Sequence, residues 1–219
     1  MTLSGVVEST GKKVSLFKNG DKIFAYGSTS ATSMRFGSYA EYICLPENWN
    51  LLPKPTNLTH KQAAAIPYGG FVAWHSTKKA NIQRGQKVLI YGASGSIGTM
   101  AVQLAKNAGA VVTAVCSSKN FELIQSLGAG YVIDYTSNDA VSKLERYDLV
   151  LDAVGNSKTS ALKNASKSAL TAGGKYMSID DEVPSTTRDD FIQLKEMAER
   201  GELIPVIDRC FPLEEMAQA

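Results

Sequence analysis

The sequence predicts an α/β protein: a doubly wound parallel sheet with helices on both faces, joined to a smaller, partial β-rich part. Three observations predict this. Residues 87–110 read as a strand, a glycine-dense turn and a helix. From Lys87 to Gly201, strand-forming apolar runs alternate with helical spacing, as successive βαβ units do. Residues 1 to about 55 carry short β-type runs and no helical periodicity.

Composition narrows the class. The chain has 219 residues, with 23 Lys and Arg against 21 Asp and Glu, a formal charge of +2. Neither sign forms a block, so no nucleic acid and no anionic membrane is expected as a partner. No apolar run reaches the ~18 residues that a membrane helix needs. The opening Met1-Thr2-Leu3-Ser4-Gly5 lacks the basic and apolar regions of a secretory signal. Cys44, Cys116 and Cys210 are few, odd in number and far apart. They read as reduced thiols of a cytoplasmic protein. Cys44 and Cys116 lie in apolar runs and are expected in the core.

In chain order, Gly5–Gly11 reads as a strand running into a turn, and Lys22–Tyr26 as a strand after the turn Phe17–Asp21. Residues 27–36 form a Ser/Thr-rich loop, Gly37–Leu45 a further strand, and Pro46, Pro53 and Pro55 punctuate a loop. Thr59 and Gln62 make a capping box that opens a helix at Ala63. Pro67 interrupts it and Tyr68–Ala80 continues, a hinge between the β-rich and α/β parts. Five strands follow, at Val88–Tyr91, Val111–Val115, Tyr131–Asp134, Asp148–Val154 and Gly174–Ile179. Helices are expected at Gly95–Asn107, Phe121–Leu127, Asn138–Leu144, Ser157–Leu170 and Arg188–Arg200. A doubly wound dinucleotide sheet usually has six strands. The residues from Leu213 onward look like the opening of an unfinished helix. The chain is therefore expected to be short at both ends.

The chemistry starts at the glycine turn. Gly92, Gly95 and Gly98 follow the strand Val88–Tyr91, and Ile97, Met100, Ala101, Leu104, Ala105 and Ala108 share one helical stripe, closed by Gly109. That context suits a dinucleotide fingerprint, with free amides and the helix dipole facing a pyrophosphate. In the usual G-x-G-x-x-G frame, Gly95 and Gly98 fit and Ala93 takes the first position. A carboxylate at the end of the second strand would select NAD. Val115-Cys116-Ser117-Ser118-Lys119-Asn120 has none, and its hydroxyls and ammonium suit the 2′-phosphate of NADP(H). Ser117 as a helix N-cap and Lys119 as a solvated cation fit the same residues. Tyr135 closes the next strand and reads either as a flank of the adenosine phosphate or as a surface tyrosine. Val154 and Gly155 end the fourth strand, where their backbone would line the nicotinamide side; Asp152 reads as buried and structural. Three scattered cysteines with His60 and His75 give no zinc spacing, and both histidines read as structural. Neither a G-x-S-x-G elbow nor a Tyr-x-x-x-Lys pair is present.

An ordered set of motifs carries a resemblance: Gly5–Glu8, Phe17–Phe24, Gly37–Tyr42, Ala63–Pro67, Gly92–Gly98, Ala114–Ser117, Leu127–Ala129, Val132–Tyr135 and Pro205–Asp208. Together they resemble the medium-chain dehydrogenase/reductase superfamily, in its zinc-free NADPH:quinone oxidoreductase branch. The resemblance implies a GroES-like domain built from both chain ends around a Rossmann domain, divided here as 1–67, 68–202 and 203–219. It implies hydride transfer from NADPH to a quinone, enone or carbonyl compound, and a homodimer. It implies Ser94, Gly95, Ser96 and Ile97 at the pyrophosphate, Ser117 and Tyr135 at the 2′-phosphate, and Val154 and Gly155 at the nicotinamide ribose. Lys119 lies one position from where some members carry a basic residue. Val72 stands where members often have Thr, and no catalytic residue is assigned. A cofactor-binding module without turnover, serving as a redox sensor or interaction partner, is the alternative; a zinc alcohol dehydrogenase is disfavoured by ligand count.

Overall fold

The computed structural model describes residues 1–27, 37–185 and 187–218. Its centre is a parallel sheet of five described strands in the order β6-β5-β4-β7-β8. These are β4 (Lys87–Tyr91), β5 (Val111–Cys116), β6 (Tyr131–Asp134), β7 (Tyr147–Asp152) and β8 (Leu170–Ser178). The chain runs outward from β4 through β5 to β6, then returns to the other side of β4 for β7 and β8. The order reverses between β4 and β7, and a crevice at such a switch point is where open α/β sheets bind ligands.

β4, β5 and β7 read as continuous apolar runs because both faces are covered. The helix α3 (Ser96–Asn107) follows β4 and buries the expected stripe from Ile97 to Ala105. Val102 and Gln103 on its other side are buried as well. Gln103 clasps the return segment: its amide nitrogen donates to the Ile204 carbonyl at 3.0 Å, and its oxygen accepts from the Ile204 amide at 2.7 Å. Gly109 takes φ +83° just past the helix end, where a side chain would be strained.

Ahead of this lies an antiparallel sheet, β1 (Thr2–Val6), β2 (Lys22–Tyr26) and β3 (Asn50–Pro53), in the order β1-β2-β3. Thr59 and Gln62 form the expected capping box on α1 (His60–Ala65), and Pro67 stands at the first turn of α2 (Pro67–Ala80). An aromatic cluster binds the parts together. Phe24 of β2 lies 4.4 Å, centroid to centroid, from Phe191 of α6 (Arg188–Glu199), which lies 5.1 Å from Phe71 of α2. Phe24, Phe71 and Phe191 are fully buried. One apolar core therefore runs through both sheets.

The structure corrects several expectations. Residues 37–45 are irregular, not a strand. No described strand offers them a paired edge, and an unpaired backbone has no sheet to join. Tyr39 and Tyr42 are accordingly exposed, and Cys44 is on the surface and not in the core. The strand β3 falls within the expected proline loop. It forms because Leu51 and Leu52 are buried against β2, and Pro53 needs no donor at the end of an edge strand. The first strand lies earlier than expected, at Thr2–Val6. The helix expected at Asn138–Leu144 is one 3-10 turn, Val141–Lys143. That expected at Ser157–Leu170 is the shorter α5 (Ala161–Ser168), because Ser160 caps it and Leu170 already belongs to β8. A short α4 spans Phe121–Ser126. Leu213–Gln218 forms 3-10 turns rather than an α-helix. The Ser/Thr-rich loop at 27–36 lies, from residue 28 onward, outside the described residues.

Candidate cofactor site

The glycine turn sits at the carboxyl end of β4. The amides of Gly92 and Ala93 both donate to the Val115 carbonyl, at 3.1 and 3.0 Å, which ties the turn to β5. Gly92 takes φ +81° and the Gly95 amide donates back to its carbonyl at 3.1 Å. A Cβ on Gly98 would lie 2.2 Å from the Gly92 oxygen and 2.7 Å from Ala93 Cα. Only glycine lets the first turn of α3 close onto the β4 end in this way. Ala93 is fully buried beneath the turn, so the first position of the frame is filled by a small apolar side chain.

Gly95 is the N-cap of α3 and brings no side-chain cap. The amides of Ser96, Ile97 and Gly98 begin the helix and so have no carbonyl of the helix to bond. Gly95 and Ser96 are exposed, Ser94 is half-buried and Ile97 is buried. The mouth of α3 is thus an open, uncapped, positive helix end on the crevice. α2 lies against it: a Cβ on Gly69 would stand 2.3 Å from the Ser96 carbonyl oxygen.

Two further groups of the expected residues follow the ends of the neighbouring strands. Ser117 is half-buried at the end of β5 and precedes the 3-10 turn Ser118–Asn120, in which Lys119 is exposed. Ser117 makes no side-chain cap bond; its hydroxyl oxygen accepts from Asn120 Nδ2 at 3.3 Å. Tyr135 is exposed, and its amide donates to the Cys116 carbonyl at 3.3 Å. On the other side, a Cβ on Gly92 would meet Val154 Cγ2 at 2.4 Å, so Val154 stands directly on the glycine turn. Gly155 follows it at φ +64°. All nine expected residues therefore lie in the turns that follow β4, β5, β6 and β7 or in the first turn of α3.

A family profile described as zinc-binding dehydrogenase matches residues 96–197. A mitochondrial NAD(P)H oxidoreductase of Bos taurus is 32% identical over 264 residues, covering 99% of this chain and 65% of the relative. A chloroplastic NADPH-dependent alkenal/one oxidoreductase of Arabidopsis thaliana is 31% identical over 231 residues, covering 99% and 58%. The structure of a quinone oxidoreductase from Coxiella burnetii superposes with a TM-score of 0.83 at 24% identity, covering 99% of this chain and 72% of that one. Across nearly its whole length the chain is similar to proteins of the medium-chain dehydrogenase/reductase superfamily. A quinone oxidoreductase of Mus musculus is 28% identical over 252 residues, covering 99% of this chain and 73% of the relative. The chain spans less than two thirds of the length of the bovine and Arabidopsis relatives.

Within this fold, tertiary pairing adds groups that a scan along the sequence missed. The register sets Cys116 of β5 beside Asp134 of β6, so a carboxylate does stand near Ser117 and Ser118, supplied by the neighbouring strand. Asp134 Oδ1 accepts from the Thr136 hydroxyl at 2.7 Å and its amide at 2.9 Å. Those bonds, followed by the opposing effect of burial and bonds from Ser118, hold it below the usual carboxylate range. The parallel sheet is the signal: residues ending adjacent strands reach one level. Burial, and secondarily Asp134, pushes the Cys116 thiol up to about 11, which makes it unreactive. Asp152 is buried as expected, and its partners are Lys163 and Tyr176. Burial, followed by the bond to Asp152, raises the Tyr176 phenol above its usual value.

A separate cleft of about 460 Å³ lies between α2 and β8, lined by Val72, His75, Tyr176 and Glu182 among others, and none of the expected cofactor residues borders it. His75 there pairs with Glu182 at 2.5 Å and faces the Ser185 carbonyl. Among the described residues no group of three His, Cys, Asp or Glu could hold a metal ion, and no helix is long and apolar enough to cross a membrane.

His60 has one neutral arrangement. The Ser4 hydroxyl donates to the Ile23 carbonyl at 2.8 Å and so must accept from His60 Nδ1–H, also at 2.8 Å. Burial first, then the charges of Lys54 and Lys22, hold the His60 pKa below 6.5. The unfolded chain therefore takes up this proton at higher pH than the folded one. The contribution is complete above 6.5 and is lost as pH falls through the depressed value. His60→Gln should show a flatter dependence of the urea midpoint on pH across that window; parallel curves would refute the assignment.

Proposed function

We propose that this chain forms the cofactor-binding body of a zinc-independent oxidoreductase that takes a hydride from NADPH and delivers it to a quinone or an activated alkene or carbonyl compound. One observation carries the reading: an uncapped helix end, open at Gly95, with a serine and a lysine flanking it at the end of β5. The residues fit the cofactor. A Cβ on Gly95 would meet only the Gly92 oxygen, at 3.5 Å, so the surface above the turn is clear for a pyrophosphate. When bound, the nicotinamide supplies the hydride.

The chain's own residues bind and orient. In this reading the amides of Ser96 and Ile97, and the Ser94–Gly95 side of the turn, hold the pyrophosphate. Ser117, Lys119 and Tyr135 receive the adenosine 2′-phosphate. Val154 and Gly155 wall the nicotinamide ribose, and the buried Ile97 and Ala93 keep water from beneath the turn. No side chain among these is assigned the proton that follows the hydride. The names of the Arabidopsis relative and of the tomato relative, a 2-methylene-furan-3-one reductase, support an enone-type acceptor. The proposal includes a homodimer and a reducing compartment, the cytoplasm; the three described cysteines are all free thiols. The bovine relative bears a mitochondrial name.

NADPH is expected to bind more tightly than NADH by roughly tenfold, about the worth of one charge-assisted hydrogen bond. Lys119→Ala should shrink that ratio. Calorimetric titration with both cofactors checks this, and a preference for NADH would overturn the assignment of Ser117 and Lys119. NADPH oxidation with a quinone and enone panel, with and without a chelator, tests the reaction. Inactivation by chelator would refute zinc independence, and binding without turnover on any acceptor would favour the sensor.

A further inference from the structure

The carboxyl end of β7 carries a buried ion pair that the cofactor reading leaves unused. Lys163 Nζ lies 2.7 Å from Asp152 Oδ2, with the two side chains 5% and 2% exposed. A buried pair of this kind is weak evidence for stability, because desolvation costs offset its attraction. Its partners show what else it does. Besides Asp152, the ammonium donates to the Gly155 carbonyl and to the Lys158 carbonyl, the latter at 3.1 Å. All of its bonds therefore end on the segment 152–158. Asp152 completes the arrangement. Its Oδ1 accepts from the amides of Val154 and Gly155 at 3.0 and 3.2 Å, and its Oδ2 from the Tyr176 hydroxyl at 2.8 Å.

Gly155 is thus held by both its backbone groups, the amide by Asp152 and the carbonyl by Lys163. Its left-handed φ of +64° and the Asp180 carboxylate, 2.3 Å from where a Cβ would be, leave it no side chain. Val154, whose amide Asp152 also holds, presses on Gly92 of the cofactor turn. The wall of the crevice beside that turn is set by an ammonium on α5 that is itself buried.

We propose that Lys163 is a positioning residue for the nicotinamide half of the cofactor, acting by fixing Val154 and Gly155 against the glycine turn. The proposal rests on the NADPH reading above. The bonds of the Lys163 ammonium end on Asp152 and the backbone of the loop after it, on the opposite side of β4 from β5 and β6. Its loss should therefore act on one half of the cofactor and spare the other. A merely structural lysine would weaken both halves together or neither.

The test is Lys163→Met, which keeps the apolar stem and removes the ammonium. NADPH binding should weaken roughly 10- to 100-fold, the scale of a small misplacement of a binding wall. The adenosine bisphosphate fragment, which lacks nicotinamide, should bind as to the wild type. Equal losses for the two ligands, or undiminished NADPH binding, would overturn the proposal. Should Lys163→Met not fold, Lys163→Gln retains amide donors to the loop carbonyls and is judged by the same pair of titrations. A wild-type chain that binds neither ligand would refute the cofactor reading itself, and this proposal with it. A wild type that binds both while the variant shows no selective loss refutes the role of Lys163 alone.

Discussion

Gly98→Ala is expected to abolish measurable NADPH binding and to destabilise the chain. Glycine in a helix interior ordinarily costs about 1 kcal/mol relative to alanine, so propensity alone predicts a gain. The contacts reverse the sign. The added methyl would lie 2.2 Å from the Gly92 oxygen, 2.7 Å from Ala93 Cα and 2.8 Å from the Ala93 carbonyl carbon. These are backbone atoms and cannot swing aside as a side chain would. Either α3 backs away from β4 or the turn shifts, and overpacking of this kind costs about 1–3 kcal/mol. Both movements displace the uncapped amides of Ser96 and Ile97 from the crevice. Calorimetry with NADPH and urea unfolding read the two effects. Gly95→Ala is the internal comparison, since its methyl meets only the Gly92 oxygen at 3.5 Å and should leave the fold intact. A Gly98→Ala protein as stable as the wild type and binding NADPH equally would refute the close approach.

Asp190→Ala should cost about 2–4 kcal/mol, through stranded donors and a lost helix cap. Asp190 is nearly buried at the start of α6. Its Oδ1 accepts from the Trp74 indole at 2.8 Å and from Lys78 Nζ at 2.9 Å, both on α2. Its Oδ2 accepts from the Thr187 amide and hydroxyl at 2.8 and 2.9 Å, closing a capping box. Lys78 is mostly exposed and can turn to water, so the cost falls on Trp74 and on the α6 cap. Burial alone would raise the Asp190 pKa; the bonds from Lys78, Thr187 and Trp74 outweigh it and hold the carboxyl well below the usual range. A depressed folded value means stability present above the ordinary carboxylate range and lost as pH falls below it. At about 2–4 °C per kcal/mol for a chain of this size, the melting temperature should drop by roughly 4–16 °C. Asp190→Asn should also flatten the acid side of the stability profile. An unchanged melting temperature in Asp190→Ala would show that the α2–α6 clasp contributes nothing. Because α2 in turn rests on Ser96 through Gly69, the same variant tests how firmly the cofactor turn is backed.

Much of this was legible before any coordinates. The β4–turn–α3 unit is local: alternation of apolar runs, three glycines and a helical stripe are all within one short stretch. The capping box at Thr59 and the glycine after α6 are local as well. The errors fell where the outcome depended on a partner. Residues 37–45 carry strand formers, but no described strand pairs with them. Asn50–Pro53 looks like a proline loop, yet β2 takes it as an edge.

The same division holds at the site. By itself the sequence determined the doubly wound class, the glycine turn and the residues that border it, because those follow from strand ends and short-range backbone geometry. Only the tertiary structure decided that Asp134 stands beside Ser118, and that Lys163 reaches back to Asp152 and Gly155. It also decided that Val154 rests on Gly92. Those contacts join residues far apart in the chain. They are set by sheet register and by which buried charges can be paired, quantities that no local window of sequence contains.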